Sequence, residues 1–223
     1  MNFEVLDFPW SHGYSKNFVD DKFAKQMSDH FPEWDSPVWE QSGKVFDTEY
    51  GYKKMLTNQA VMLPSISEFI DQLKTEKFIS KLSEATGITD LIFDDKLYGG
   101  GLMMHPVGSH LTTHIDFNFN NDIKLYRAVN LLYYMSTNCE GGDFEMYSTD
   151  LEKQKSISPK LNTCIFFATN NKTYHGVNKV VGGFRKLLSL WYYTKEPTKD
   201  LSEQPHRTPV SYTHLTLPTS VPV

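Results

Sequence analysis

Disulfide stabilisation is nearly closed to this chain, because Cys139 and Cys164 are its only cysteines among 223 residues. A secreted framework of bridges needs several pairs. Long apolar runs are missing too: no stretch approaches the roughly 20 uninterrupted apolar residues that a membrane-spanning helix needs. Residues 1–10 lack a basic start followed by an apolar run, since Asn2, Glu4 and Asp7 break up their apolar residues. These absences predict a soluble protein of a reducing compartment, cytoplasmic and without membrane contact. Positive charge is also short. With 22 basic against 27 acidic residues, a formal charge of -5 and the signs mixed along the chain, no basic stripe is left to neutralise a phosphate backbone. Nucleic acid is a disfavoured partner. No internal repeat is visible, and oligomeric state is not readable.

What is present is 39% apolar and 14% aromatic content, enough to bury one substantial core but short for two full domains. Phe18, Val19, Phe23, Met27 and Phe31 recur at intervals of about four and share a helical face. Ser65 and Glu68, after Pro64, have the form of a capping box, and the helix that follows should turn Ile66, Phe69, Ile70 and Leu73 inward. A second helix, with Phe78, Ile79, Leu82 and Ala85 inward, should stop at Gly87. After Asp95 the texture changes to short runs of Tyr, Val, Ile, Phe and Thr between Gly, Asn, Asp and Pro clusters. Strands are expected near 97–105, 110–116, 126–136, 143–148, 162–168, 173–179 and 184–194. The expected fold is mainly β with N-terminal helices, a sandwich or jelly roll buttressed by helices on one face. Residues 1–95 form a helical and extended support region of the same domain, 96–196 the core, and 197–223 a polar tail without amphipathic period, expected to be disordered. Residues 211–220 resemble translated sequencing-adapter read-through, so His214 carries no functional weight.

His114-Ile-Asp116 lies among β-branched residues, and on a strand residues two apart share a face. One imidazole and one carboxylate then converge; with a second histidine they make the two-nitrogen, one-carboxylate set that suits non-haem iron(II). Alone, the tripeptide is commonly just a hydrogen-bonded pair. His110 and His114 would form a zinc pair on a helix, but Pro106, Gly108 and the paired threonines favour extended structure, where they stand roughly 13 Å apart. His110 reads as a polar residue at the site mouth or on the surface. The completing ligand is best sought in His175, which follows the apolar Cys164–Phe167 run across a polar turn. Its alternative is a strand histidine satisfied by hydrogen bonds.

The segment from Gly182 to Tyr193 changes that balance. Alternation puts Arg185, Leu187, Ser189 and Trp191 on one face. A guanidinium pointing into a barrel needs an anion, and its planar fork matches a carboxylate of a bound dicarboxylate. Ser189, further along that face, is a second donor. The alternative is an Arg185 that faces solvent.

His-x-Asp, a distant His, an Arg ten residues on and a closing Trp-Tyr together resemble the prolyl-hydroxylase-type branch of the 2-oxoglutarate/iron(II) oxygenases, over roughly residues 97–195. Gly141-Gly142-Asp-Phe and the 159–167 loop and strand resemble further family segments. The resemblance implies a double-stranded β-helix, with His114, Asp116 and His175 as iron ligands and Arg185 with Ser189 on the distal carboxylate of 2-oxoglutarate. It also implies Tyr134 as a contact of that carboxylate; preferring it to Tyr133 rests on strand phase, which puts Asn130 and Leu132 on the same face. Many relatives have Tyr-Pro ahead of the metal motif where this chain has His105-Pro106, so His105 becomes a cosubstrate candidate. Dioxygen is the implied co-reactant, succinate and carbon dioxide the products, and ascorbate a reductant for iron. The substrate is expected to be a prolyl or other protein side chain, with a free amino acid or small metabolite as alternative. Arg127, Asn130, Leu132 and Trp191 are its candidate contacts. A cupin-type metal-binding protein or isomerase shares the jelly roll but has no need of a buried arginine for 2-oxoglutarate.

Overall fold

The computed structural model describes residues 1–48 and 51–201, with the backbone alone for residues 41–48, 51 and 52. The tail from residue 202 onward, including His214, lies outside the described residues.

Helices come first along the chain. α1 (Asp21–Asp29) starts where the Asp20 carboxylate accepts from the Lys22 and Phe23 amides. Phe18 and Val19 precede that cap, so the apolar face predicted here as helical throughout begins ahead of the helix, outside regular secondary structure. α2 (Val38–Ser42) is a short connector. α3 (Pro64–Leu73) buries Ile66, Phe69, Ile70 and Leu73, as the 3.6-residue period requires.

Its start departs from the expected capping box: Leu63 holds the cap position and no side chain caps the helix. Pro64 is pre-set for the first helical position, which starts the helix early and leaves Ser65 inside the first turn. Ser65 Oγ instead pairs with His30 Nδ1 at 2.8 Å, while Glu68 accepts from Gln72. α4 (Glu76–Thr86) is capped by Thr75, buries Phe78 and Leu82, and stops at Gly87 with φ +69°.

The larger sheet runs, in spatial order, β1 (Glu4–Leu6), β2 (His12–Ser15), β13 (Cys164–Ala168), β9 (Leu125–Tyr134), β16 (Arg185–Thr194), β6 (Gly101–His105), β4 (Gly51–Leu56) and β3 (Gly43–Thr48). Two short strands, β5 (Ile92–Phe93) and β8 (Phe119–Asn120), pair with β16 and β9. Facing it is the order β12 (Lys153–Ile157), β11 (Phe144–Tyr147), β14 (His175–Val177), β7 (Leu111–His114). A third pair joins β10 (Glu140–Gly141) to β15 (Val180–Gly182). All the ladders are antiparallel. This is the mainly β jelly roll with N-terminal helices that the sequence predicts. The region before residue 96 does more than support it, because β1 to β4 extend the large sheet at both edges.

Each face of the large sheet has its own core. Leu102, Met104, Leu131, Tyr133, Leu188, Leu190 and Tyr192 pack against the helices with Phe69, Ile70 and Leu73. Met55, Met103, Leu132, Tyr134, Ile165, Phe167 and Leu187 pack between the sheets with Phe144 and Met146. Tyr133 and Tyr134, adjacent in sequence, therefore serve opposite cores, since successive side chains of a strand point to opposite faces. Residues 197–201, read above as the start of a disordered tail, are tied down: Asn171 N donates to Asp200 O, Lys172 pairs with Asp200 at 3.0 Å, and Leu201 is buried.

Candidate active site

β14 lies beside β7 in a register that sets His175 directly opposite His114. Asp116 follows two residues past the end of β7. The ligand-capable atoms of the three side chains fall within 4.8 Å of one another. His114 Nε2 stands 3.7 Å from Asp116 Oδ1, and His175 Nε2 stands 3.5 Å from Asp116 Oδ2. Each imidazole spends its other nitrogen in the same way. Nδ1 of His114 lies 2.8 Å from Thr112 O, and Nδ1 of His175 lies 2.9 Å from Thr173 O. A carbonyl only accepts, so Nδ1 carries the proton and the Nε2 lone pairs face Asp116. Phe144 stacks on His175 and Phe167 meets it edge-on, which fixes the ring.

Burial alone would raise the Asp116 pKa, but His175, His114 and Arg127 hold the carboxyl well below its usual range. Burial lowers His175 to about 4. Burial also presses on His114, yet the neighbouring carboxylate outweighs it and leaves that ring raised. The result is an ionised carboxylate whose buried Oδ2 has no hydrogen-bond partner among the described residues. Two nitrogen lone pairs face it. An orphaned carboxylate oxygen is costly by itself and is what a divalent cation would satisfy, so the donor set fits iron(II).

A cavity of about 420 Å³ leads from these residues and is lined on its far side by the predicted face of β16, Arg185, Leu187, Ser189 and Trp191. Arg185 is buried. Its Nε donates to Gly142 O at 2.9 Å and its Nη2 to Tyr134 Oη at 3.0 Å. Gly142 has φ +69°, and a Cβ there would stand 3.1 Å from Arg185 Cδ, so a glycine lets the carbonyl approach the guanidinium. Tyr134 thus meets the arginine, while Tyr133 lies among the helices. Ser189 lines the same cavity but pairs with Gly101 and Leu132, four residues beyond Arg185, or roughly 13 Å along the strand. The guanidinium's contacts lead toward Gly142 and Tyr134 rather than toward Ser189.

At the other end Asn130 and Leu132 line the wall as strand phase predicts. The Arg127 guanidinium is sandwiched between two rings, 3.5 Å from the Phe117 centroid and 3.6 Å from that of Trp191. Its Nη2 donates to Tyr98 O. That carbonyl is presented by a turn organised by Asp94, which accepts from the Lys96 and Tyr98 amides. Trp191 is fixed in turn by its indole donating to Gly99 O. His105 lines the cavity with a buried Nε2 that has no hydrogen-bond partner among the described residues, and exposed His110 also lines it.

Sequence reasoning missed several lining residues, among them Lys53, Met55, Met103, Phe117 and Phe144. The adjacent Lys53 and Lys54 break any period-2 apolar alternation in 51–56, so no local pattern marks Lys53 or Met55. Asp94 was missed as well. An Asx-type turn signal ahead of the Gly99–Gly101 run marks it.

The family described as the 2OG-Fe(II) oxygenase superfamily matches residues 100–193. Among solved structures, a prolyl-4-hydroxylase from Pseudomonas putida is 13% identical, with a TM-score of 0.60 over 82% of this chain and 91% of that one. A prolyl hydroxylase from Trichoplax adhaerens, in complex with a hypoxia inducible factor oxygen degradation domain peptide fragment, is 17% identical with a TM-score of 0.58 over 82% and 83%. The viral collagen prolyl hydroxylase of Paramecium Bursaria Chlorella virus-1, solved as its 2-oxoglutarate complex, is 17% identical with a TM-score of 0.54 over 82% and 94%. No curated protein matches the chain. Residues 100–193 carry the 2OG-Fe(II) oxygenase match, in a fold shared with prolyl hydroxylases, and together these support a 2-oxoglutarate-dependent dioxygenase. The family implies iron(II), 2-oxoglutarate and dioxygen. Among the described residues no helix is long and apolar enough to cross a membrane.

Proposed function

We propose that the enzyme hydroxylates a carbon of a prolyl or other side chain of a peptide or protein, with release of succinate and carbon dioxide. The observation that carries this reading is one cavity with the His114, Asp116 and His175 cluster on one wall and the braced Arg185 on another. In it, His114, Asp116 and His175 hold iron(II), and Arg185, steadied by Tyr134 and Gly142, receives the distal carboxylate of 2-oxoglutarate. Iron(II) supplies the activation of dioxygen that couples decarboxylation of the cosubstrate to insertion of one oxygen atom into a substrate C–H bond. The protein's part is positional. The Nδ1 bonds keep both imidazoles in the metal-facing tautomer, Phe144 and Phe167 keep water from that side, and the Arg127–Trp191 wall faces the incoming substrate.

A peptide is favoured over a free metabolite by the rim. Val107, Leu111 and Val181 are 58%, 41% and 62% exposed, on segments joined by paired backbone bonds, Gly108 N to Val180 O and Val180 N to Ser109 O. A polypeptide flanking its target residue would cover these side chains, and a small metabolite inside the cavity would not. The Trichoplax adhaerens neighbour, solved with a peptide fragment, supports the same reading.

The test has two stages. Anaerobic iron(II) and 2-oxoglutarate should give a visible charge-transfer band that His175→Ala and Arg185→Ala lose. A wild-type protein that binds iron without the band would return the cupin-type alternative. A peptide panel and free amino acids are then scored for succinate release and for a mass gain of one oxygen. Coupled turnover confined to free amino acids would move the assignment to a small-molecule hydroxylase.

A further inference from the structure

Three basic side chains stand in a row across three adjacent strands at one end of the cavity. Arg185 on β16 pairs directly with His105 on β6. β4 pairs with β6 through Lys54 opposite Met104 and Met55 opposite Met103. The same register carried one residue further sets Lys53 beside His105. Lys53, His105 and Arg185 all line the cavity. The next row on its face is Met55, Met103 and Leu187, which is apolar. On these three strands positive charge is therefore concentrated at one level, next to the anchored guanidinium, with Arg127 of β9 at the other end of the cavity.

That guanidinium is already partly committed. Its Nε–H serves Gly142 O and one Nη2–H serves Tyr134 Oη, so two of its five N–H groups are taken and the Nη1/Nη2 end remains for a ligand. Lys53 is partly buried, and burial and then Arg185 push its pKa below the usual lysine range. His105 is lowered further by burial, Arg185 and Lys53, in that order. An anion bound between Lys53 and Arg185 would offset their repulsion.

Resting on the dioxygenase reading above, we propose that Lys53 is a second cation for the distal carboxylate of 2-oxoglutarate, facing it together with Arg185 and selecting dicarboxylic over monocarboxylic 2-oxo acids. The guanidinium supplies orientation; the ammonium, a compact point charge on a flexible stem, adds attraction from the neighbouring strand. His105 between them is neutral and contributes a hydrogen bond rather than charge. Lys53 belongs to a hairpin strand about sixty residues ahead of the metal motif, so this contact comes from outside the matched stretch of 100–193.

The experiment titrates 2-oxoglutarate into the iron(II) protein under anaerobic conditions, following the charge-transfer band, and repeats the titration by calorimetry with manganese(II). Wild type, Lys53→Met and Lys53→Arg are compared, each with 2-oxoglutarate and with 2-oxopentanoate, which lacks the distal carboxylate. Lys53→Met should weaken 2-oxoglutarate about tenfold, as loss of a charged hydrogen bond does. It should leave 2-oxopentanoate and iron(II) affinities unchanged, and Lys53→Arg should recover most of the loss. Unchanged 2-oxoglutarate affinity in Lys53→Met overturns the proposal, and so does an equal loss for both acids. If Lys53→Met does not fold, Lys53→Gln takes its place under the same two criteria. A wild type that binds iron(II) but not 2-oxoglutarate fails the dioxygenase reading itself, and that result is read before any variant is made.

Discussion

On β16, Leu188, Leu190 and Tyr192 pack beneath the helices, while Arg185, Leu187, Ser189 and Trp191 line the cavity. The same contrast recurs on β9, where Leu131 and Tyr133 face the helices and Asn130 and Leu132 face the site. The helix-covered face is dry and apolar, so it holds the strands in register by close packing. The cavity face gives up apolar area for side chains that are costly to bury, each held by a specific neighbour: Arg185 by Tyr134 and Gly142, Arg127 by Phe117 and Trp191, the two imidazoles by threonine carbonyls. One face stabilises the sheet; the other uses that stability to keep polar groups in place.

Breaking the helix-covered face should have the largest effect. Phe69 is fully buried, with its ring 4.6 Å from that of Tyr133. Phe69→Ala is expected to cost about 3–5 kcal/mol in chemical unfolding, while the remaining folded protein binds iron(II) and 2-oxoglutarate as before. A parallel loss of ligand affinity would show that the two faces are not separable. Next is Arg185→Ala, which should lower 2-oxoglutarate affinity by roughly a hundredfold, because it removes one partner of a buried charge pair. Its unfolding midpoint should move far less than that of Phe69→Ala. Tyr134→Phe keeps the ring and loses only the acceptor for Arg185, so calorimetry should find 2-oxoglutarate weakened by about three- to tenfold.

The smallest effect concerns pH and the metal-free protein. His105 is held neutral in the fold by burial, Arg185 and Lys53, well below its usual range. The unfolded chain takes up that proton near pH 6.5 and the folded chain does not, so stability is fully present above about pH 6.5 and falls as pH drops below it. His105→Gln should flatten that part of the stability curve. A curve of unchanged slope below pH 6.5 would assign the dependence to His175 instead, whose pKa of about 4 acts in the same direction.

Legibility from sequence followed the same division. Long alternating strands such as β9 and β16 were readable, with their faces, because period 2 over ten residues leaves a single phase. β1 and β2 were not, being three and four residues long, and neither was β12, whose Lys153–Ile157 run is mostly exposed and polar. Helix ends were readable where a single residue decides them, as at Gly87. They were misread at Ser65, where Pro64 and a distant His30 decided otherwise.

By itself the sequence determined which residues share a strand face: Arg185 with Trp191, Asn130 with Leu132 and Tyr134, and the close spacing of His114 and Asp116. Those relations depend on backbone geometry within one short segment. Only the tertiary structure decided that His175 stands opposite His114, that Gly142 and Tyr134 brace Arg185, that Phe117 and Trp191 enclose Arg127, and that Lys53 completes a basic row with His105. Such contacts join strands far apart in the chain, and their register is set by the packing of whole sheets, which no local pattern encodes.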